Sequence, residues 1–379
     1  MQRFTDLGID VFLGHGQLTG PRQVEVAGQT LTFARAVIAT GSHAGALPIP
    51  GLAEAGYLTN ESVFSLTACP ARLGIIGGGP IGCELAQSFQ RLGSQVILLE
   101  ADHHILPRED AAAAAIVHQA LCRDGVQVTA GAKLSAIETR GEDKILRYTD
   151  AEGQSHDPAV DAILVAVGRV PNLDGLGLEA AGVAYDPRKG IQVDDRLRTT
   201  NPRIFAAGDI CSRYQFTHAA DAMARIVLAN ALFMGRQKAS TLTIPWCTYT
   251  DPQIAQVGLT AAQATAAGMA VQTFIQPLAE VDRAVLDGET EGFAKVCVKQ
   301  GSGTLLGATI VARHAGEMIG IYTTLMTHRL GLGALTRVIQ PYPTQAEAVR
   351  KTGDLYNRTR LTPFVKSLMQ RWLAWQRGR

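Results

Sequence analysis

Cysteine is sparse and scattered. Cys69, Cys83, Cys122, Cys211, Cys247 and Cys297 are the only six in 379 residues, and no two stand at CxxC or CxxxxC spacing. That spacing excludes a local redox disulfide and a zinc knuckle, so no metal site is expected. Such isolated thiols read as buried, reduced side chains. Charge of one sign is also lacking. A net charge of +1 gives no general electrostatic case for a nucleic-acid partner or a charged membrane surface. No apolar run reaches the roughly 18 residues of a membrane span. The start, Met1-Gln-Arg-Phe-Thr-Asp6, lacks the long apolar run of a signal peptide. A cytoplasmic, non-spanning protein is the expectation. What is present is a globular composition, 46% apolar and 18% charged, long enough for two or three domains.

The pattern along the chain is α/β. Short alternating segments between Val11 and Ile38 read as strands, and Ala36-Val-Ile-Ala-Thr-Gly-Ser42 reads as a buried strand ending in a glycine turn. After Pro70 the sequence spells a βαβ unit. It has a strand from Leu73, a glycine cluster, a helix from about Gly82 to Leu92, and the strand Val96-Ile-Leu-Leu-Glu100. A helix over Asp110 to Arg123, a meander around Ala136, Lys144 and Tyr148, and a buried strand from Ala162 follow. A helix is expected over Ala219 to Met234. Beyond Pro245 the strands near Phe293 and Leu305 alternate with helices near Thr260 and Ala315, which suits a separate α+β domain. The basic stretch Phe364 to Arg379 reads as a surface helix rather than a membrane anchor.

The strongest local signal is Gly77, Gly78, Gly79, Pro80, Ile81 and Gly82. Read as GxGxxG between a strand and a helix, it predicts a dinucleotide loop. Gly77 permits the turn, Gly79 admits a diphosphate, and Gly82 lets helix and strand approach. The helix start offers N–H groups and the positive end of its dipole. Glu100 ends the next strand, where a carboxylate can accept from both ribose hydroxyls and repel a 2′-phosphate. NADH is therefore expected over NADPH, with Arg108 nearby to soften the choice.

The ordered set Ala39-Thr-Gly-Ser42, Gly77 to Glu84, Gly168-Arg-Val-Pro-Asn172 and Ala206-Ala-Gly-Asp209 resembles the class I pyridine-nucleotide disulfide oxidoreductases. The likeness runs to about Arg360. It implies two Rossmann-like nucleotide-binding domains, the FAD one incomplete, and a C-terminal α+β dimerisation domain. The boundaries expected are 1–69 and 169–240 for the FAD part and 70–168 for the NAD(P) domain. The interface domain would occupy 241–365 and the basic tail 366–379. The resemblance further implies FAD and NAD as cofactors and a homodimer formed through the interface domain. By this resemblance Thr40, Gly41 and Ser42 lie near the flavin, Asp209 bonds its ribityl chain, and Gln215, Phe216, Thr217 and His218 start a helix beside it. Glu84 sits near the nicotinamide carboxamide and Gly168 leaves room for the ring.

Two departures from the family pattern matter. Neither the opening glycine fingerprint for the ADP half of FAD nor the CxxxxC pair is found, so poor FAD retention by this chain alone is expected. The acid/base position before Pro343-Thr344 is Tyr342 rather than His, with Glu347 behind it. A tyrosine is a poor base at neutral pH. Tyr342 points toward a mercuric-reductase-like member, yet no cysteine follows Cys297 to hand over a soft metal. Expected is a flavoprotein passing a hydride from NAD(P)H to FAD and on to a small-molecule, disulfide or metal acceptor. A non-catalytic, nicotinamide-binding dimeric module is the alternative, and a thiol-independent NADH oxidase a third.

Overall fold

The computed structural model describes residues 2–378. The chain divides into two compact units, Met1–Gly45 with Gly168–Leu242, and Ala46–Val167 with Thr243–Arg379.

The first unit is built from short strands. Gly16–Gly20, Gln23–Val26 and Gln29–Thr32 form an antiparallel three-stranded sheet. Ala36–Ile38 pairs in parallel with Ile204–Ala206, and Ser42–Ala44 pairs antiparallel with Arg169–Pro171. Ile38, Leu178, Ile204 and Ile210 gather into one small core. The parallel pairing stops at two strands, and Val37 between them and solvent is half exposed. The helix Thr217–Leu232 starts two residues before the expected Ala219, with Phe216 at its N-cap and no side chain capping it.

The second unit holds a four-stranded parallel sheet in the order Ala162–Val165, Arg72–Ile76, Gln95–Glu100, Gln127–Ala130. The helices Pro80–Arg91 and Ala111–Asp124 are its crossovers. The first begins ahead of the expected Gly82 because Pro80 suits the first helical position, where no N–H is needed. Asp110 caps the second, accepting from Ala112 N at 3.1 Å, and Gly125 ends it in the left-handed region. The run of apolar residues in each strand is explained by burial on both faces: Leu73, Ile75, Leu98 and Leu164 are buried on one, and Ile76, Leu99, Ile163 and Val165 on the other. The meander of Lys133–Arg140, Asp143–Thr149, Ser155–His156 and Ala159–Val160 lies in the same unit. So does a five-stranded antiparallel sheet formed by Pro245–Thr248, Gln253–Gly258, Leu305–Ala312, Phe293–Lys299 and Val271–Pro277 in that order. Ile254, Phe293 and Val311 of that sheet pack into the same core as Leu73, Leu98 and Val117. The nucleotide-type layer and the antiparallel layer thus share apolar interior.

The thiols depart in part from expectation. Cys83 and Cys297 are buried, but Cys69 and Cys122 are exposed, and no disulfide forms among the described residues. Cys69 sits in the irregular segment before the parallel sheet, exposed with its Sγ 3.1 Å from Ser94 Oγ; Cys122 lies on the outward face of its helix. Residues near Phe364 do form a helix, Pro363–Arg377, none of whose residues is buried.

Candidate nucleotide-binding site

The parallel sheet reverses its strand order at Arg72–Ile76, with two strands to one side and one to the other. In open α/β sheets the crevice beyond the carboxyl end of such a strand is where ligands bind. Gly77 follows that end. Its φ of +108° suits glycine, and a Cβ there would lie 2.5 Å from the carbonyl oxygen of Ala166. A Cβ on Gly82 would meet the carbonyl oxygen of Gly77 at 1.8 Å, so helix and loop touch backbone to backbone. Gly79 differs: a Cβ there would meet nothing within 4 Å. The loop is closed beneath and open above. The first helical bond runs from Cys83 N to the carbonyl oxygen of Gly79, so the amides of Ile81 and Gly82 precede the helical ladder, while Pro80 contributes none.

Glu100 lies directly behind this loop. Its Oε2 accepts from Gly78 N at 2.6 Å and its Oε1 from Asp102 N at 2.8 Å. Gly78 must be small for this, because a Cβ would stand 2.9 Å from Cβ of Glu100. Two backbone amides therefore fix a buried carboxylate at the strand tip. Open space at Gly79, amides at a helix start and an acceptor pair at Glu100 form a donor set that fits a nicotinamide dinucleotide. Gly77, Gly78, Gly79, Pro80, Ile81, Gly82 and Glu100 are brought together by one βαβ turn.

Glu84, in the second turn of the same helix, accepts from Tyr249 N at 2.8 Å through Oε1. Burial raises its carboxyl above the usual range, and the Tyr249 amide opposes that. Gln87 exchanges bonds with Asp251 N and O at 2.7 and 2.9 Å, and Arg91 pairs with Asp251 at 2.9 Å. The glycine-loop helix is thereby tied to the loop between the first two strands of the antiparallel sheet. Cys83 cannot serve as a nucleophile. It is fully buried, burial pushes its thiol up, and its Sγ donates to the carbonyl oxygen of Gly78 at 3.3 Å.

In the other unit, Ser42 Oγ donates to Asp209 Oδ2 at 2.6 Å. Arg169 donates through Nε to Ser42 Oγ and through Nη2 to Ser42 O, both at 2.7 Å, and lies 3.5 Å from Asp209. Thr40 and Asn172 bond reciprocally at 3.0 and 2.8 Å, and Asn172 N donates to the carbonyl oxygen of Gly41 at 3.0 Å. Gly168, φ +110°, has open space at its Cβ position, and its carbonyl oxygen accepts from Gly45 N at 2.9 Å. Gln215 precedes the helix start; Phe216 stacks on His218 with ring centroids 5.4 Å apart, and Thr217 opens the helix. Asp209 and Ser42 offer groups that suit a polyol chain. Among the described residues of this unit, however, no strand, glycine turn and helix together form a diphosphate cradle. The residues fit part of a flavin and not its ADP half.

Tyr342 and Glu347 stand apart from the glycine loop, with no hydrogen bond to it or to Glu84 among the described residues. Tyr342 Oη donates to Asp282 Oδ2 at 2.8 Å, and that partner holds the phenol above its usual range. Glu347 pairs with Arg350 at 3.5 Å. Reading the sequence overlooked Arg169 and Asn172, although both lie inside the quoted Gly168-Arg-Val-Pro-Asn172 run. It also overlooked Glu109, which carries no sequence signal. Among the described residues no helix is long and apolar enough to cross a membrane.

Residues 2–224 match the pyridine nucleotide-disulphide oxidoreductase family, and residues 244–352 match its dimerisation domain. A mercuric reductase of Bacillus cereus is 36% identical over 345 residues, covering 91% of this chain and 54% of that protein. A mercuric reductase of Staphylococcus aureus is 34% identical, with 92% and 64% covered. A dihydrolipoyl dehydrogenase of Thermus scotoductus is 34% identical, with 92% and 76% covered. The chain thus spans about half to two thirds of the length of those two mercuric reductases. Among solved structures, the HOCl-induced flavoprotein disulfide reductase RclA from Escherichia coli superimposes with a TM-score of 0.85 at 30% identity. That likeness covers 93% of this chain and 82% of the other.

Proposed function

The chain belongs to the pyridine nucleotide-disulphide oxidoreductase family, and from there we propose that it grips NADH in the Gly77–Gly82 loop as part of a homodimeric flavoprotein oxidoreductase. The family uses FAD and NAD(P)H, and when bound these supply hydride and electron transfer toward a disulfide, metal or other acceptor. The chain's own residues bind and orient. The amides ahead of Cys83 and the helix dipole hold the diphosphate. Glu100, already fixed by two amides, accepts from the adenosine ribose and disfavours a 2′-phosphate. Glu84 orients the nicotinamide end, and Gly168 leaves space for its ring. Asp209 and Ser42, with Thr40 and Gly41, hold the sugar-alcohol part of a flavin, and Gln215 to His218 flank it. Tyr342 and Glu347 face the partner subunit's acceptor, Tyr342 as a proton donor. In this reading 1–69 and 169–240 make the flavin part, 70–168 the nucleotide domain, 241–365 the interface domain and 366–379 a tail.

One observation carries the reading: Gly79 is open at a topological switch point, while its neighbours Gly77 and Gly82 are sterically closed. NADH titration of Gly79→Val and Gly82→Ala tests it. Gly79→Val is expected to fold like the parent and to bind NADH at least tenfold more weakly, about 1.4 kcal/mol. Gly82→Ala is expected to disrupt the loop itself and lower the unfolding temperature. A parent chain that binds neither NADH nor NADPH, or a folded Gly79→Val with unchanged affinity, would overturn the assignment.

A second reading has a specific basis. The parallel pairing in the unit containing Asp209 is confined to two strands. That favours a nicotinamide-binding, self-associating module without redox turnover. The colour of the purified protein separates the two. A yellow preparation that bleaches on NADH addition supports the enzyme. A colourless dimer that binds NADH supports the module.

A further inference from the structure

We propose that the helix Pro363–Arg377 is a reversible peripheral anchor that lies in the plane of an anionic lipid surface. The helix is well specified by its sequence. Thr362 Oγ1 accepts from Val365 N at 3.3 Å, and Pro363 takes the first helical position. Its fifteen residues make a rod of about 22 Å, too short to span a bilayer core of about 30 Å. None of its residues is buried, and Phe364, Leu368 and Trp372 each keep more than half of their surface exposed.

That side is extensive. Phe364, Leu368, Trp372 and Trp375 recur at three- and four-residue steps, with Leu361 one turn ahead and Met369 at the margin of the stripe. Phe364 is 76% exposed and Trp372 54% exposed. Lys366, Gln370 and Arg377 take the other side, with Ser367 and Arg371 at the edge of the stripe. Water around such a face is unfavourable, and a partner is required to relieve it.

Charge and side-chain type select the partner. Six of the chain's 35 basic residues follow Asp354, and none of its 34 acids does, which leaves 29 bases against 34 acids in the rest. The chain is near neutral overall only because an acidic body carries a basic end. An acid-free basic helix repels a second copy of itself, since no carboxylate is present to pair across the seam. Anionic headgroups complement it. Two of the chain's three tryptophans lie on this helix, and their rings, apolar with one N–H donor, suit the boundary between headgroups and acyl chains. Balanced apolar and cationic faces with low net hydrophobicity distinguish an in-plane helix from a spanning one. The sequence expectation of a plain surface helix accounts for the basic side alone.

The test is flotation of the full chain with vesicles of phosphatidylcholine, alone or with about one third phosphatidylglycerol. Expected is at least tenfold more chain on the anionic vesicles, release at about 0.5 M salt, and a blue shift of tryptophan emission on lipid addition. A triple variant Phe364→Ser, Leu368→Ser and Trp372→Ser should float at least tenfold less while keeping its unfolding temperature and its mass in sedimentation. Absence of flotation, or equal flotation on both vesicle types, would overturn the proposal. A fall in sedimentation mass of the triple variant would also overturn it and assign the face to self-pairing. The emission shift of the unaltered chain reads the same question without any substitution.

Discussion

Glu109 is the acid whose surroundings most clearly predict a measurable pH effect. It is 9% exposed; its Oε1 accepts from the indole N–H of Trp246 at 2.7 Å, and its Oε2 has no hydrogen-bond partner among the described residues. Burial pushes the carboxyl from 4.5 up to about 7, against the pull of the Trp246 bond and the Arg108 charge. Between about pH 4.5 and 7 the folded chain therefore holds a proton that the unfolded chain has lost. Stability falls as pH rises through that window and is level above it. At about 1.4 kcal/mol per unit, the full effect is on the order of 3 kcal/mol. Glu109→Gln mimics the neutral acid, since its amide oxygen still accepts from Trp246. The variant should match the parent near pH 5. Near pH 8 it should be more stable by about 3 kcal/mol, an unfolding-temperature gap on the order of 5 °C. Thermal unfolding of both proteins across that range measures it, and every other titration cancels in the difference. A gap that is the same at both ends of the range would refute the reasoning.

The remaining predictions concern coenzyme choice and the tyrosine. Glu100→Gln removes the charge that opposes a 2′-phosphate, so the ratio of NADPH to NADH affinity should rise at least tenfold, about 1.4 kcal/mol. An unchanged ratio in parallel titrations would show that Glu100 does not face the ribose. Tyr342→Phe should leave the unfolding temperature unchanged, because the phenol and Asp282 are exposed, and should slow reduction of any acceptor that needs a proton. Steady-state rates equal to the parent's would remove Tyr342 from the chemistry.

The legible parts of this fold are those dictated over a short stretch of chain. The βαβ turn from Leu73 to Glu100 needs a buried strand, a backbone that turns at Gly77, and contact between Gly82 and Gly77. Each requirement has a residue type that answers it, so strand, loop and helix were readable within two residues. The helix over Asp110 to Arg123 was readable as well, whereas the caps Asp110 and Gly125 supply were not read from the sequence. The burial of individual thiols was not readable, because Cys69 and Cys122 owe their exposure to which side of a loop or helix meets the remaining chain. Nor was Glu109. Nothing near Arg108-Glu-Asp110 marks an acid for burial; its environment is made by Trp246, 137 residues away.

The same long-range joinery gives Glu84 a role that its motif position alone did not suggest. Glu84, Gln87 and Arg91 stand at three- and four-residue spacing along one face of the glycine-loop helix, and all three bond to residues 249–251. Two constraints therefore fix the orientation of that helix, the glycine contact at its start and this acid–amide–guanidinium ladder along its side. A helix whose N-terminus grips a diphosphate works only if its axis is held, since free amides lose their aim when the helix rocks. The antiparallel sheet is thus more than an interface in waiting. It supplies a rigid seat against which the proposed nucleotide loop would be aimed, and the two layers share one apolar core.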